Sequence, residues 1–129
     1  MKIRRENSRG AAAVEFAIVA TLLVTLLIGI VEFGIVFFVQ GTLAGAAREA
    51  SRDFAINGNQ AHATAVALAA APGTGLVASE VQYNLGTCPA GQSGRVTIRH
   101  THHFLTGFLT PVVGATIQLD STGTMRCKG

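Results

Sequence analysis

Apolar residues gather in one long block near the N-terminus and then return as periodic positions farther on. Residues 16–31 carry no charge, residues 33–39 carry none either, and Glu32 alone interrupts them. As a helix, such a block spans about 24 to 36 Å, the thickness of a bilayer core. It predicts a transmembrane helix over residues 11–40. Inside it, Ala13, Ala17, Thr21, Thr25 and Gly29 recur at every fourth position. Small side chains at that spacing form a slowly drifting stripe, which lets helices approach closely in a membrane. They are candidate helix-packing residues, and Gly41 and Gly45 continue the spacing.

Beyond the block the pattern becomes amphipathic. Leu43, Ala47, Ala50 and Phe54 share one helical face, while Arg48, Glu49, Arg52 and Asp53 occupy the others, where opposite charges three or four apart can pair. Asn57-Gly58-Asn59 ends this helix, and an Ala-rich second helix follows over residues 60–71, broken by Pro72-Gly73-Thr74-Gly75. Period-two alternation then predicts a strand at Val77, Ser79, Val81, Tyr83 and Leu85, and a second through Val96, Ile98, His100 and His102 after a glycine-rich loop. An apolar connector around Pro111 leads to a third strand through Ala115, Ile117, Leu119, Gly123 and Met125. The expected fold is α+β: a long N-terminal helix, a short second helix and a small antiparallel three-stranded sheet.

Charge decides how this plan sits in a membrane. The 129 residues are 49% hydrophobic and 13% charged, with mean hydropathy +0.42. The net charge of +3 comes from residues 1–10, where Lys2, Arg4, Arg5 and Arg9 oppose Glu6. A basic tail beside a membrane span stays cytoplasmic, which places residues 41–129 outside the cytoplasm. The rest of the chain is charge-balanced, lacks tryptophan and shows no basic face interleaved with aromatics, so no nucleic-acid partner is expected. Ala44-Gly45-Ala46 resembles a signal-peptidase site, but the apolar block is longer than a signal peptide uses.

Candidate chemistry is sparse. An extracytoplasmic setting favours a disulfide between Cys88 and Cys127, closing a loop of roughly 40 residues worth about 4 kcal/mol by chain entropy. His100 and His102 share a strand face beside His103, yet no carboxylate or cysteine stands at an inferable supporting position, so a structural or exposed role is expected rather than a metal site. No Ser/His/Asp order, phosphate-binding loop or acid/base carboxylate pair is present. We expect no catalytic residues and no cofactor. Glu32, near the far end of the apolar block, reads as an interfacial carboxylate. Glu15 lies at the block's start, beside Phe16, where an ionisable group is costly and usually partnered.

The order Gly10-Ala11-Ala12-Ala13-Val14-Glu15-Phe16 behind a basic leader resembles a prepilin-type leader. More specifically, VEFAIV, GIVEFGIVFFVQGTL and AAREASR resemble the TadE-like family of tight-adherence (Flp-type) pilus systems, over about residues 10–52. A weaker likeness lies in FLTGFLTPVVGATIQLDSTGTMR. Many relatives carry a proline early in the apolar run, whereas this chain reads Ala20-Thr21-Leu22. The resemblance implies a pilin-like plan, cleavage between Gly10 and Ala11 by a prepilin peptidase, and insertion in the inner membrane. It also implies partners among other pilin or pseudopilin subunits and the pilus assembly platform. Cleavage would free the Ala11 amine to pair with Glu15 of a neighbouring subunit in a low-dielectric setting. The domains then read as a leader at 1–10, a membrane helix at 11–40 and an extracytoplasmic part at 41–129. The implied role is a non-enzymatic pseudopilin or minor pilin. The alternative is an uncleaved single-pass membrane protein whose outer part is a binding module.

Overall fold

The computed structural model describes residues 4–128, and side chains from residue 9 onward. Lys2 therefore lies outside the described residues, as do the side chains of Arg4, Arg5 and Glu6. The fold is α+β, with a long N-terminal helix α1 (Arg4–Asn57), a shorter α2 (Gln60–Ala70) and a three-stranded antiparallel sheet. The strands are β1 (Val81–Tyr83), β2 (Ser93–His103) and β3 (Thr116–Arg126), in that spatial order, and a single turn of helix, α3 (Thr110–Val113), lies between β2 and β3.

At 54 residues, α1 is about 80 Å long. Its upper part is amphipathic: Val36, Val39, Leu43, Ala47, Ala50 and Phe54 follow i, i+3, i+4 spacing and all are buried. That face lies against β2 and β3, where Val96, Ile98 and Leu119 complete the core. Residues of alternate parity point inward along both long strands, which is why the period-two pattern located them.

Close packing of sheet on helix depends on missing side chains. A Cβ at Gly123 would overlap the Ala47 carbonyl oxygen and stand 2.6 Å from the Ala47 carbonyl carbon. One at Gly94 would fall 2.7 Å from Cys88 Sγ and 2.9 Å from a Phe54 ring carbon. Alanines on the facing helix serve the same purpose, with Ala46, Ala47 and Ala50 fully buried.

The turn between the helices is set by three residues. Gly58 takes a left-handed φ of 63° and donates its N–H to the Phe54 carbonyl, closing α1. Asn59 then caps α2, its side chain accepting the His62 N–H at 3.2 Å. α2 folds back along α1 and buries Ala63 and Ala67. At the other end of the chain, Cys88 and Cys127 are joined by a disulfide across 39 positions, with Cα atoms 5.3 Å apart. Lys128 then donates its N–H to the Ala55 carbonyl at 3.0 Å, satisfying one of the carbonyls that the last turn of α1 leaves open.

β1 is shorter than the alternation predicts. Val77 and Ser79 do not join the sheet, because residues 78–80 form a 3-10 turn. The Glu80 carboxylate closes that turn by accepting the Val77 N–H at 3.1 Å. At the other end, the Asn84 side-chain oxygen accepts the Arg95 N–H at 2.7 Å, in place of a backbone carbonyl, and the ladder stops at Tyr83. The expected pairing among Arg48, Glu49, Arg52 and Asp53 is not formed either. Asp53 instead accepts from Asn57 at 2.7 Å and from His62 Nδ1 at 2.8 Å, donors that the turn brings directly above it.

Candidate functional site

The lower part of α1 has almost no packing partner among the described residues. Val14, Phe16, Leu22, Leu26 and Ile30 are among many large apolar side chains that stand mostly in the open, and the helix is long and apolar enough to cross a membrane. Gly10 and Ala11 lie inside this helix, exposed. Glu15 and Phe16 are exposed one turn farther on, and Glu15 has no hydrogen-bond or ion-pair partner among the described residues.

The small-residue stripe is on the same part of the helix. Ala13, Ala17 and Thr21 are exposed, Thr25 and Gly29 half-buried, and a Cβ placed on Gly29 would meet nothing within 4 Å. Thr21 turns its hydroxyl back to the Ala17 carbonyl at 2.8 Å. At Thr21 the stripe thus offers close approach with the hydroxyl already paired, as an apolar surrounding favours.

Glu32 behaves differently from Glu15. It is 1% exposed, although Val31 and Phe33 beside it are 57% and 53% exposed. The cover comes from the connector after β2. Leu105 N–H donates to Oε2 at 3.1 Å, and Thr106 donates both its N–H, at 2.6 Å, and its hydroxyl, at 2.7 Å, to Oε1. Both carboxylate oxygens are occupied, which allows a charge to sit on an otherwise apolar helix surface. Higher up, Gln40 Nε2 donates to the Asp120 carbonyl at 3.0 Å and lies 3.3 Å from Ser121 Oγ. These contacts fix the height of the C-terminal half along α1.

The histidines separate into distinct roles. His100 is buried and its Nδ1 donates to Glu80 Oε2 at 2.9 Å. Glu80 also accepts the Val77 and Thr101 N–H groups, so one carboxylate ties the 3-10 turn to β2. Burial is the strongest single influence on the Glu80 carboxyl and pushes it up. The His100 hydrogen bond, the two backbone N–H groups and the His100 charge together outweigh it and hold the group below the usual carboxylate range. His102 packs edge-on against Phe104, and His103 is exposed. Among the described residues, no three His, Cys, Asp or Glu side chains stand together as a metal site would require.

Glu15 at the start of the apolar block and Glu32 near its far end thus mark an exposed apolar helix. Residues 10–52 match the model of the TadE-like protein family. The TadE-like segment covers a third of the chain, from Gly10 through the exposed apolar stretch to Arg52 in the packed upper part of α1. Among the described residues, this segment lies in the one helix long and apolar enough to cross a membrane. No curated protein matches the chain, and no solved structure does.

Two arrangements escape a reading of the sequence. The Glu32 clasp joins residues 73 and 74 positions apart, and the Glu80–His100 pair spans 20. Glu32 did carry a usable signal, since a carboxylate inside an apolar run needs donors from somewhere. Only the fold shows that Leu105 and Thr106 supply them.

Proposed function

We propose that this chain is a TadE-like pseudopilin or minor pilin, a non-enzymatic single-span protein needed to assemble or anchor a tight-adherence (Flp-type) pilus. The match over residues 10–52 carries the proposal. The geometry of α1 supports it, because the lower helix presents an apolar surface, a small-residue stripe and Glu15, unpartnered among the described residues, to the outside of the chain. In this reading the N-terminus is cytoplasmic, residues 11–40 cross the inner membrane and residues 41–129 lie outside the cytoplasm. The pilin-like plan is then a membrane helix whose upper part is one wall of the small α+β domain.

A prepilin peptidase removes the leader after Gly10. The bond lies within α1, so the first turns must unwind to enter a protease cleft. Glycine favours this, being about 1 kcal/mol poorer than alanine in a helix interior. The new Ala11 amine then pairs with Glu15 of an adjoining subunit, while Ala13, Ala17, Thr21, Thr25 and Gly29 pack against neighbouring helices of pilin or pseudopilin subunits or the assembly platform.

N-terminal sequencing of the protein from cells with and without the peptidase tests the processing step. Ala11 is expected as the first residue only when the peptidase is present. An intact leader in both would instead leave an uncleaved single-pass protein whose outer part is a binding module. Glu15→Gln is expected to insert into the membrane normally and to support little pilus assembly. Unchanged pilus output would remove the pairing role.

A further inference from the structure

The connector between β2 and β3 has properties that the pilus role does not use. Residues 104–119 contain no charged side chain. Its apolar side chains face outward: Leu105 is 76% exposed, Val112 82%, and Phe108 and Val113 each 47%. In a soluble loop this would be an unexplained apolar patch.

Its backbone points to what surrounds it. Across residues 104–114, Pro111 has no N–H, and only the N–H groups of Gly107 and Leu109 lack an intramolecular acceptor among the described residues. The Thr106 hydroxyl, held by Glu32, accepts the Phe108 N–H, and the turn of α3 takes up those of Thr110, Val112, Val113 and Gly114. Most of its N–H donors are thus satisfied within the chain, while of its carbonyls only those of Gly107, Leu109 and Thr110 accept a bond among the described residues, a balance that suits the partly hydrated boundary of a bilayer rather than its core.

Leu105 and Thr106 sit on the apolar surface of α1, and with Leu27, Ile28, Val31 and Glu32 they line a groove of about 190 Å3. The connector is therefore continuous with the surface of the membrane-spanning segment.

We propose that residues 104–113 form a second membrane contact, dipping Leu105, Phe108, Val112 and Val113 into the acyl-chain boundary of the outer leaflet of the bilayer that α1 crosses. The Glu32 clasp holds this element at the correct depth and keeps its own charge from lipid. The inference rests on the membrane reading of α1 but not on the pilus role.

The chain has no tryptophan, so single tryptophans report without background. Full-length Leu22→Trp, Phe108→Trp, Val112→Trp and Gln82→Trp variants are reconstituted in phosphatidylcholine vesicles with acyl chains brominated at defined depths. Thiol titration confirms that the Cys88–Cys127 disulfide is intact in each. The bromolipid is expected to quench the variants at 22, 108 and 112 several-fold more strongly than that at 82, with deeper bromines favoured at 22 and shallow ones at 108 and 112. Aqueous iodide is expected to show the reverse preference. If 22 is quenched while 108 and 112 behave like 82, the proposal is overturned and the membrane span stands. Shielding of 108 and 112 from both bromolipid and iodide would overturn it in favour of a protein cover, such as a second copy. If no variant is quenched by bromolipid, the span and the proposal fall together.

Discussion

Replacing Gly123 by alanine adds one methyl group at the tightest point between sheet and helix. That methyl would overlap the Ala47 carbonyl oxygen and stand 2.6 Å from its carbon and 2.7 Å from Ser51 Oγ. Nonbonded heavy atoms are comfortable at about 3.5–4.0 Å, so the surfaces must separate by roughly 1 Å. Ser51 could rotate aside, at the expense of its 2.8 Å bond to the Arg48 carbonyl, but the Ala47 carbonyl belongs to the helix backbone and has nowhere to go. Moving β3 instead loosens Leu119 and strains the Gln40 bond to the Asp120 carbonyl. Overpacking typically costs about 1–3 kcal/mol, and a clash with backbone belongs at the upper end. For a domain of this size each kcal/mol is worth about 4–8 °C. Thermal or urea unfolding of the full chain in detergent, followed by circular dichroism, measures the loss. Gly41→Ala is the control: its Cβ would meet nothing within 4 Å, and alanine is the better helix former by up to about 1 kcal/mol. If Gly123→Ala unfolds within about 0.5 kcal/mol of the parent, the close-packing argument is wrong.

Two further predictions concern the small α+β part. The Glu80 carboxyl is held below its ordinary range, so its contribution is fully present above the unfolded value of about 4.3 and is lost as pH falls through the lower folded value. Unfolding midpoints should therefore drop on acidification below that range, and Glu80→Gln should flatten the drop while costing about 1–2 kcal/mol at neutral pH; an unaltered acid profile would contradict the assignment. Cys88→Ser should expose one titratable thiol, at Cys127, and lower stability by an amount approaching the chain-entropy figure of about 4 kcal/mol; a reactive thiol in the native protein would refute the linkage.

The parts of the fold legible in the sequence were those written in local periodicity. The inward parity of Val96, Ile98 and His100, the buried face through Leu43, Ala47, Ala50 and Phe54, and the turn at Asn57-Gly58-Asn59 all follow from repeats within a few residues. What periodicity cannot hold is a side chain acting on distant backbone. Val77 and Ser79 alternate as a strand would, yet Glu80 captures the Val77 N–H and reserves the segment for a turn tied to His100. Likewise the connector reads as an apolar loop, and nothing near Leu105 or Thr106 tells that Glu32 will hold them. The exposed residues proposed for assembly, Glu15 and the small stripe, have the opposite character. The partners proposed for them lie outside the chain, so it is the sequence pattern and the family likeness that support them.

The attachments between α1 and the C-terminal half climb in step. Glu32 holds residues 105 and 106, Gln40 holds β3 at Asp120, Ala47 faces Gly123, and Ala55 receives Lys128. These four points are spread over about 35 Å of helix and keep the same order in both segments. A force pulling α1 along its axis against the sheet would load them side by side, in shear, rather than opening them one after another as a zipper opens. The helix is therefore a strut on which the sheet cannot slide, and tension entering at its N-terminal end reaches the sheet without slack.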